Sequence, residues 1–338
     1  MDMAKLFRVA FEDVVSVENL CAAWQEFLLG KRRKADVLAF ARNLGDEIMG
    51  LHDDLSSDHY RHGPYERFAV NDPKPRVIHK ASVRDRLLHH AVHRQLYPLF
   101  ARTFTADSFS CQVGKGTHRA QERFRRLAWR VSHNHTRTCW VLKCDVRKFF
   151  ASIDHGILIS LLCERLVDAR LTSLLEIIVR SHEAAPGRGL PLGNLTSQLF
   201  ANVYLNELDQ FVKRRFKAKS YVRYADDFVL MSESRERLEG LIMPIKIFLR
   251  ERLRLDLHPD KISLKTLASG VDFLGWVHFP DHRVLRTVSK WRMFRNLRES
   301  SGSETLQSYL GLLGHGNARR LADEIRNLRW LYGEGDEG

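Results

Sequence analysis

The 338-residue chain has no apolar run long enough to span a bilayer and no amino-terminal leader pattern, so a soluble, cytoplasmic protein without a membrane partner is expected. Its five cysteines (Cys21, Cys111, Cys139, Cys144 and Cys163) form no CxxC pair, which excludes a disulfide framework and points to a reducing compartment. Acidic residues are also in short supply: 41 Asp and Glu against 54 Lys and Arg leave a net charge of +13. The excess is spread along the chain, with runs at 31–34 and 213–215, and suits a polyphosphate partner. Internal repeats are absent. A P-loop is excluded too: Gly114-Lys115 has no glycine five positions upstream and no suitable strand before it. That segment reads as a Gly-rich turn opening a helix over 118–131.

With 44% hydrophobic residues the chain can bury a large core, divided among two or three subdomains. Periodicity predicts helices over 17–29 and 35–53. Two strands, 67–70 and 76–80, bracket the turn Asn71-Asp72-Pro73 and carry Lys74, Arg76 and Lys80. A helix over 82–100 contains His89, His90 and His93; no cysteine or carboxylate completes a metal site, so a structural role is expected. Further helices are predicted over 154–166 and 171–182. A Gly/Pro-rich loop at 186–193 then opens a long helix from Asn194 to about Phe216, with Asn194 and Thr196 as caps. The helix over 235–253 is expected to bend or break at Pro244. A hairpin at 271–276 and a basic helical region over 288–331, interrupted at 311–316, complete the chain.

The stretch YVRYADDFVLMS, 221–232, reads as two short strands joined by a tight turn at Asp226-Asp227. Adjacent carboxylates at a turn tip repel one another unless a cation sits between them. Alone, the stretch also fits a hairpin with solvated acids. A second apolar strand, beginning at Trp140, ends at Asp145. Two such acidic strand ends can meet over a pair of Mg²⁺ ions, which let a 3′-hydroxyl attack a nucleoside triphosphate and steady the leaving pyrophosphate. Lys261, in a turn, suits proton donation to that pyrophosphate. Phe150, five residues beyond Asp145, suits packing under a nucleotide sugar or an ordinary core position.

Taken in order, PKPRVIHKASVRDRLLHHA, FSCQVGKGTHRA, VLKCDVRKFFASID, GLPLGNLTSQLFANVYLNELD, YVRYADDFVL, HPDKI and VDFLGW resemble the motif series of reverse transcriptases, over roughly 64–276. The resemblance implies an α+β, right-hand polymerase fold with fingers, palm and a short helical thumb. The corresponding regions are an N-terminal helical extension (1–62), fingers (63–138), palm (139–279, with fingers elements near 155–192) and thumb (280–338). It also implies an RNA-directed DNA polymerase that uses template RNA, a cDNA or RNA primer, dNTPs and paired Mg²⁺. Residue by residue, Asp145 and Asp226 match metal ligands, with Asp227 assisting and the Val146 carbonyl as an extra ligand. Lys74 and Arg76 match triphosphate-holding positions, Phe150 the sugar gate, and Lys261 the general acid. Leu192, Gly193 and Gln198 match the nucleotide pocket.

Many reverse transcriptases carry Gln-Gly-x-x-x-Ser-Pro in the fourth motif, where this chain has Leu192-Gly193-Asn194-Leu195-Thr196-Ser197-Gln198. The aliphatic first residue and final Gln resemble reverse transcriptases of diversity-generating retroelements, as does the thumb segment YLGLLGHGN at 309–317. That resemblance implies copying of a template-repeat RNA with frequent errors at adenines, together with a small, basic, pentameric accessory protein. No segment resembles the maturase, DNA-binding or endonuclease parts of longer group II intron proteins, and the Val-Thr-Gly thumb signature of retrons is absent. The alternatives are a group II intron-like, retron or defence-associated reverse transcriptase, and a catalytically idle RNA-binding scaffold; the three intact aspartates disfavour the last.

Overall fold

The computed structural model describes residues 6–71, 75–299 and 303–333, with side chains described up to residue 327. The first helices form because apolar residues recur on one face of each. α1 (Phe11–Val15), α2 (Val17–Phe27), α3 (Ala35–Arg42) and α4 (Leu44–Ser56) turn Phe11, Leu20, Trp24, Phe27, Phe40 and Ile48 inward. The single helix expected over 35–53 is two, because the chain leaves helical geometry at Asn43 (φ −120°, ψ 35°), where Asn43 and Gly45 are poor helix formers. β1 (Glu66–Val70) and β2 (Arg76–Lys80) pair antiparallel from Glu66↔Lys80 to Val70↔Arg76, with every β1 position exposed. α5 (Val83–Phe100) starts where the Ser82 hydroxyl accepts from the Asp85 N–H, and α6 (Thr117–Val131) starts at Gly116.

β3 (Trp140–Asp145) is followed by α7 (Phe149–Ser152), α8 (His155–Cys163), α9 (Ala169–Arg180) and α10 (Leu195–Arg215). The hairpin of β4 (Tyr221–Tyr224) and β5 (Asp227–Ser232), then α11 (Arg235–Leu253) and β6 (Ser263–Thr266), complete an antiparallel sheet of order β4-β5-β3-β6. Strand alternation divides its residues between two cores. Leu142 and Cys144 of β3, with Phe228 and Leu230 of β5, join the main core, which also contains the inward side chains of α1–α5 and α8–α11. Val141 faces the other way, with Val222, Val229 and Met231, and is covered by Phe124, Leu127 and Ala128 of α6. By the same alternation Asp145 shares the face of Val141, at the opposite end of the strand.

Two expected features differ. α11 continues as helix through Pro244, so the chain does not break there: Leu238, Ile245, Leu249 and Leu253 are all buried, and their packing outweighs the missing N–H. Asn194 precedes α10 but caps nothing; its amide donates to the His79 carbonyl at 3.4 Å, while Thr196 is buried within the helix. Beyond the sheet, β7 (Val271–Phe273), β8 (Trp276–His278) and β9 (Arg283–Leu285) form a meander whose first turn places Leu274 and Gly275 at φ 51° and 87°. α12 (Thr287–Glu299), α13 (Ser303–Leu313) and α14 (Arg319–Gly333) gather around Met293, Leu313 and Ile325 as a separate small core.

Candidate active site

The register of β3 and β5 places Asp145 directly opposite Asp227. Two carboxylates facing each other across strands are destabilising without a counter-charge. The turn beside them is one residue earlier than expected. Ala225 and Asp226 form it, and Asp227 is already the first residue of β5. Ala225 adopts φ 52°, the positive value that tight two-residue hairpins favour at the cost of crowding its Cβ. The Asp226 carbonyl accepts from the Val146 N–H at 3.1 Å, tying the turn to the residue after Asp145.

Lysines answer the acids. Lys261 Nζ donates to Asp145 Oδ1 at 2.7 Å, and Lys143 Nζ lies 3.2 Å from Asp227 Oδ2 while donating to the Asp272 carbonyl at 2.8 Å. Burial pushes the Asp227 carboxyl up to about 6 against the pull of Lys143; Asp145 and Asp226 push it further in the same direction. Asp226 is also raised, by burial and then by Asp145, with Lys261 and Arg76 opposing. Arg76 of β2 is thus within electrostatic reach of the acidic turn. Lys74 lies outside the described residues.

The remaining expected positions lie on α7, on the loop before α10 and on the first turn of α10. Phe150 is half-buried in α7, edge-on to Phe149 at 5.4 Å, and its carbonyl accepts from the Leu190 N–H at 2.8 Å. The Leu192 carbonyl accepts from the His79 N–H at 3.0 Å, fastening the loop before α10 to β2. Gly193 has φ 112°, and an added Cβ would sit 2.9 Å from Ile78 Cγ2, so backbone shape and β2 both require glycine. Gln198 is half-buried in the first turn of α10.

Sequence reasoning missed three supporting residues. Lys143 precedes Asp145 by two, the strand period that shares a face, and that signal was available. Arg223 precedes Asp226 by three. Its guanidinium, 1% exposed, forms a bidentate pair with Asp209 of α10 (2.7 Å twice) and donates to the Ala225 carbonyl at 3.0 Å. The Tyr221 hydroxyl also donates to Asp209 at 2.7 Å. Arg223 therefore holds the turn in its strained shape from behind. Nothing in the sequence pairs Asp209 with it.

Divalent cations such as Mg²⁺ take hard oxygen donors. The acids here supply oxygen donors, and Asp227 Oδ1 is buried without a hydrogen-bond partner, so the donor chemistry fits. Among the described residues no three ligating side chains already form an ion site; Lys143 and Lys261 supply the counter-charge instead.

Comparison with known proteins identifies the family. Residues 70–278 match the family model described as reverse transcriptase (RNA-dependent DNA polymerase). The chain is 26% identical over 293 residues to protein YkfC of Escherichia coli, covering 75% of this chain and 74% of that protein. It is 22% identical over 315 residues to the group II intron-encoded protein LtrA of Lactococcus lactis, covering 72% of this chain and half (50%) of LtrA. Among solved structures, apo telomerase of Candida tropicalis, truncated from its C-terminal domain, aligns with 9% identity and a TM-score of 0.49, covering 66% of this chain and 55% of that one. With its family model spanning more than half of its length, the chain has the right-hand polymerase fold and belongs to the reverse transcriptase family of RNA-directed DNA polymerases.

Proposed function

We propose that the chain copies a template-repeat RNA into adenine-mutagenised cDNA for diversity-generating retrohoming, in the cytoplasm, with dNTPs, a cDNA or RNA primer and a pentameric accessory protein. In this reading Asp145, Asp226 and Asp227, with the Val146 carbonyl, hold Mg²⁺. Metal held there would supply activation of the 3′-hydroxyl and stabilisation of the leaving pyrophosphate. Lys261, already on Asp145, has a proton to give to the leaving group, and Arg76, with Lys74, meets the triphosphate. Lys143 limits the repulsion that Asp227 exerts on the other acids.

Leu192 carries the mutagenic part. The pocket loop is fixed by its backbone, through the Leu192 carbonyl and the Gly193–Ile78 contact, while the Leu192 side chain contributes packing without a hydrogen bond. A neutral hydrogen bond contributes about 0.5–1.5 kcal/mol, so its absence relaxes discrimination by up to about tenfold. Leu192→Gln is expected to lower misincorporation opposite template adenine while synthesis continues, read by sequencing cDNA from the purified enzyme. An unchanged error rate contradicts this use of the pocket.

The match to LtrA favours a second reading, a group II intron-like reverse transcriptase with ordinary fidelity. Neighbouring DNA separates the two. A repeat with an adenine-substituted twin supports the first reading, and absence of such a pair supports the second.

A further inference from the structure

Helix α6 presents a second surface, away from the acids. Its inner face is buried through Phe124, Leu127 and Ala128, whereas Arg125, Arg126 and Arg130 are exposed and Trp129 is 53% exposed. An indole left in water on a helix that already has a full apolar face is not needed for folding. Among the described residues no carboxylate pairs with those three arginines, although Glu122 lies nearby. Beside them is a cavity of about 290 Å³ whose lining includes Glu122 together with Arg125, Arg126, Trp129, Phe279 and Pro280. A second hollow of about 420 Å³ shares His135, Leu267 and Pro280 with it and adds Arg137. The Leu267 N–H donates to the Cys139 carbonyl, which places this surface at the Trp140 end of β3. Five residues of strand, roughly 17 Å, separate that end from Asp145.

We propose that this face of α6 docks single-stranded RNA, with one unstacked base in the Trp129 cavity and the flanking phosphates on Arg125, Arg126 and Arg130. The proposal rests on the RNA-templated reading above. An aromatic and guanidinium lining suits a base, and the cavity is near the lower limit of about 300 Å³ for ligand pockets. Duplex bases are stacked and cannot enter such a pocket. Three exposed arginines around one indole give the surface a positive charge that complements a phosphate backbone. The occupant is therefore a segment of RNA outside the base pair being copied.

The test uses a mixed-sequence single-stranded RNA of about 20 nucleotides carrying 4-thiouridine and fluorescein, the length giving room for several contacts at ssRNA-binding site sizes. Ultraviolet crosslinking to the intact chain is expected to label the tryptic peptide Leu127-Ala128-Trp129-Arg130. By anisotropy, Trp129→Ala is expected to weaken binding between about 5- and 150-fold, the range given by removing one base-stacking partner. A double variant, Arg126→Gln with Arg130→Gln, is expected to weaken binding and to lower the slope of log affinity against log salt by about 0.7 per arginine. It provides an independent reading if the tryptophan variant folds poorly. Unchanged affinity in the folded variants, or crosslinks confined to other peptides, overturns the proposal. So does a protein partner covering Trp129 while RNA affinity is unaffected. Primer extension by the unaltered chain on a short primed RNA is scored separately: if it succeeds while these binding results fail, the surface assignment falls and the polymerase reading stands.

Discussion

Two hairpins of this fold are held in opposite ways. The β4–β5 turn stands on a buried ion pair, Arg223–Asp209, with strands packed on both faces. The β1–β2 hairpin has one strand wholly exposed. Its base is fastened by histidines instead: His62 Nε2 lies 3.2 Å from His89 Nε2, the Tyr65 hydroxyl is 2.7 Å from Ser181 Oγ, and the His79 and His182 rings are 4.3 Å apart. Arg223 stays charged at any working pH, whereas burial pushes His89 down to about 3 and His182 to about 4, so both histidines act as neutral groups. The difference separates two tasks. On the proposed function, carboxylates that hold metal would need a preset geometry, and a strand that meets an arriving triphosphate would need freedom to open and close.

The largest expected effect comes from the preset side. Asp226→Ala should abolish primer extension, because one carboxylate serves both attack and departure. RNA affinity, which rests on many Lys and Arg side chains, should stay within a few-fold. Extension above a small fraction of wild type contradicts the assignment.

Breaking the support behind the turn comes next. Arg223→Ala leaves Asp209 as an unpaired buried charge and should cost about 3–5 kcal/mol in unfolding free energy. Arg223→Lys should fall between, since it keeps the charge but loses the planar fork. Denaturant titration measures both. Equal stability of the alanine variant and wild type would mean that the pair does not brace the turn.

The smallest effect belongs to the histidine base. An unfolded histidine titrates near its ordinary 6.5, whereas buried His89 titrates near 3. Its contribution to stability is full above 6.5 and is lost as pH falls towards 3, with a slope of at most about 1.4 kcal/mol per pH unit. His89→Gln should flatten the loss of unfolding free energy between pH 7 and 5. An unchanged slope would show that other groups govern the acid limb.

Much of this contrast was legible in residue order. β3 ends at Asp145 as its apolar run indicates, and β2 has its expected bounds. The turn was misplaced by one residue because alanine gives no turn signal; Ala225 takes positive φ in a turn whose carbonyl Arg223 secures. The break at Asn43 follows the local preference of Asn43 and Gly45, whereas at Pro244 packing on the core outweighs local preference. Lys143 was readable from strand period, but its partners Asp227 and Asp272 come from β5 and β7, which only the fold brings together. Asp209 and His79 were invisible for the same reason. Their roles depend on which helix or loop the chain lays against them.

Hydrogen exchange tests the division between preset and closing hairpins most directly. In the nucleotide-free protein, amides of Phe228–Leu230 should exchange only through global unfolding, whereas those of Arg67–Ala69 should exchange orders of magnitude faster. Adding primed RNA template, Mg²⁺ and the matching dNTP should slow the second group and leave the first unchanged. Equal protection of both hairpins before nucleotide is added, or no slowing at β1 afterwards, would contradict it.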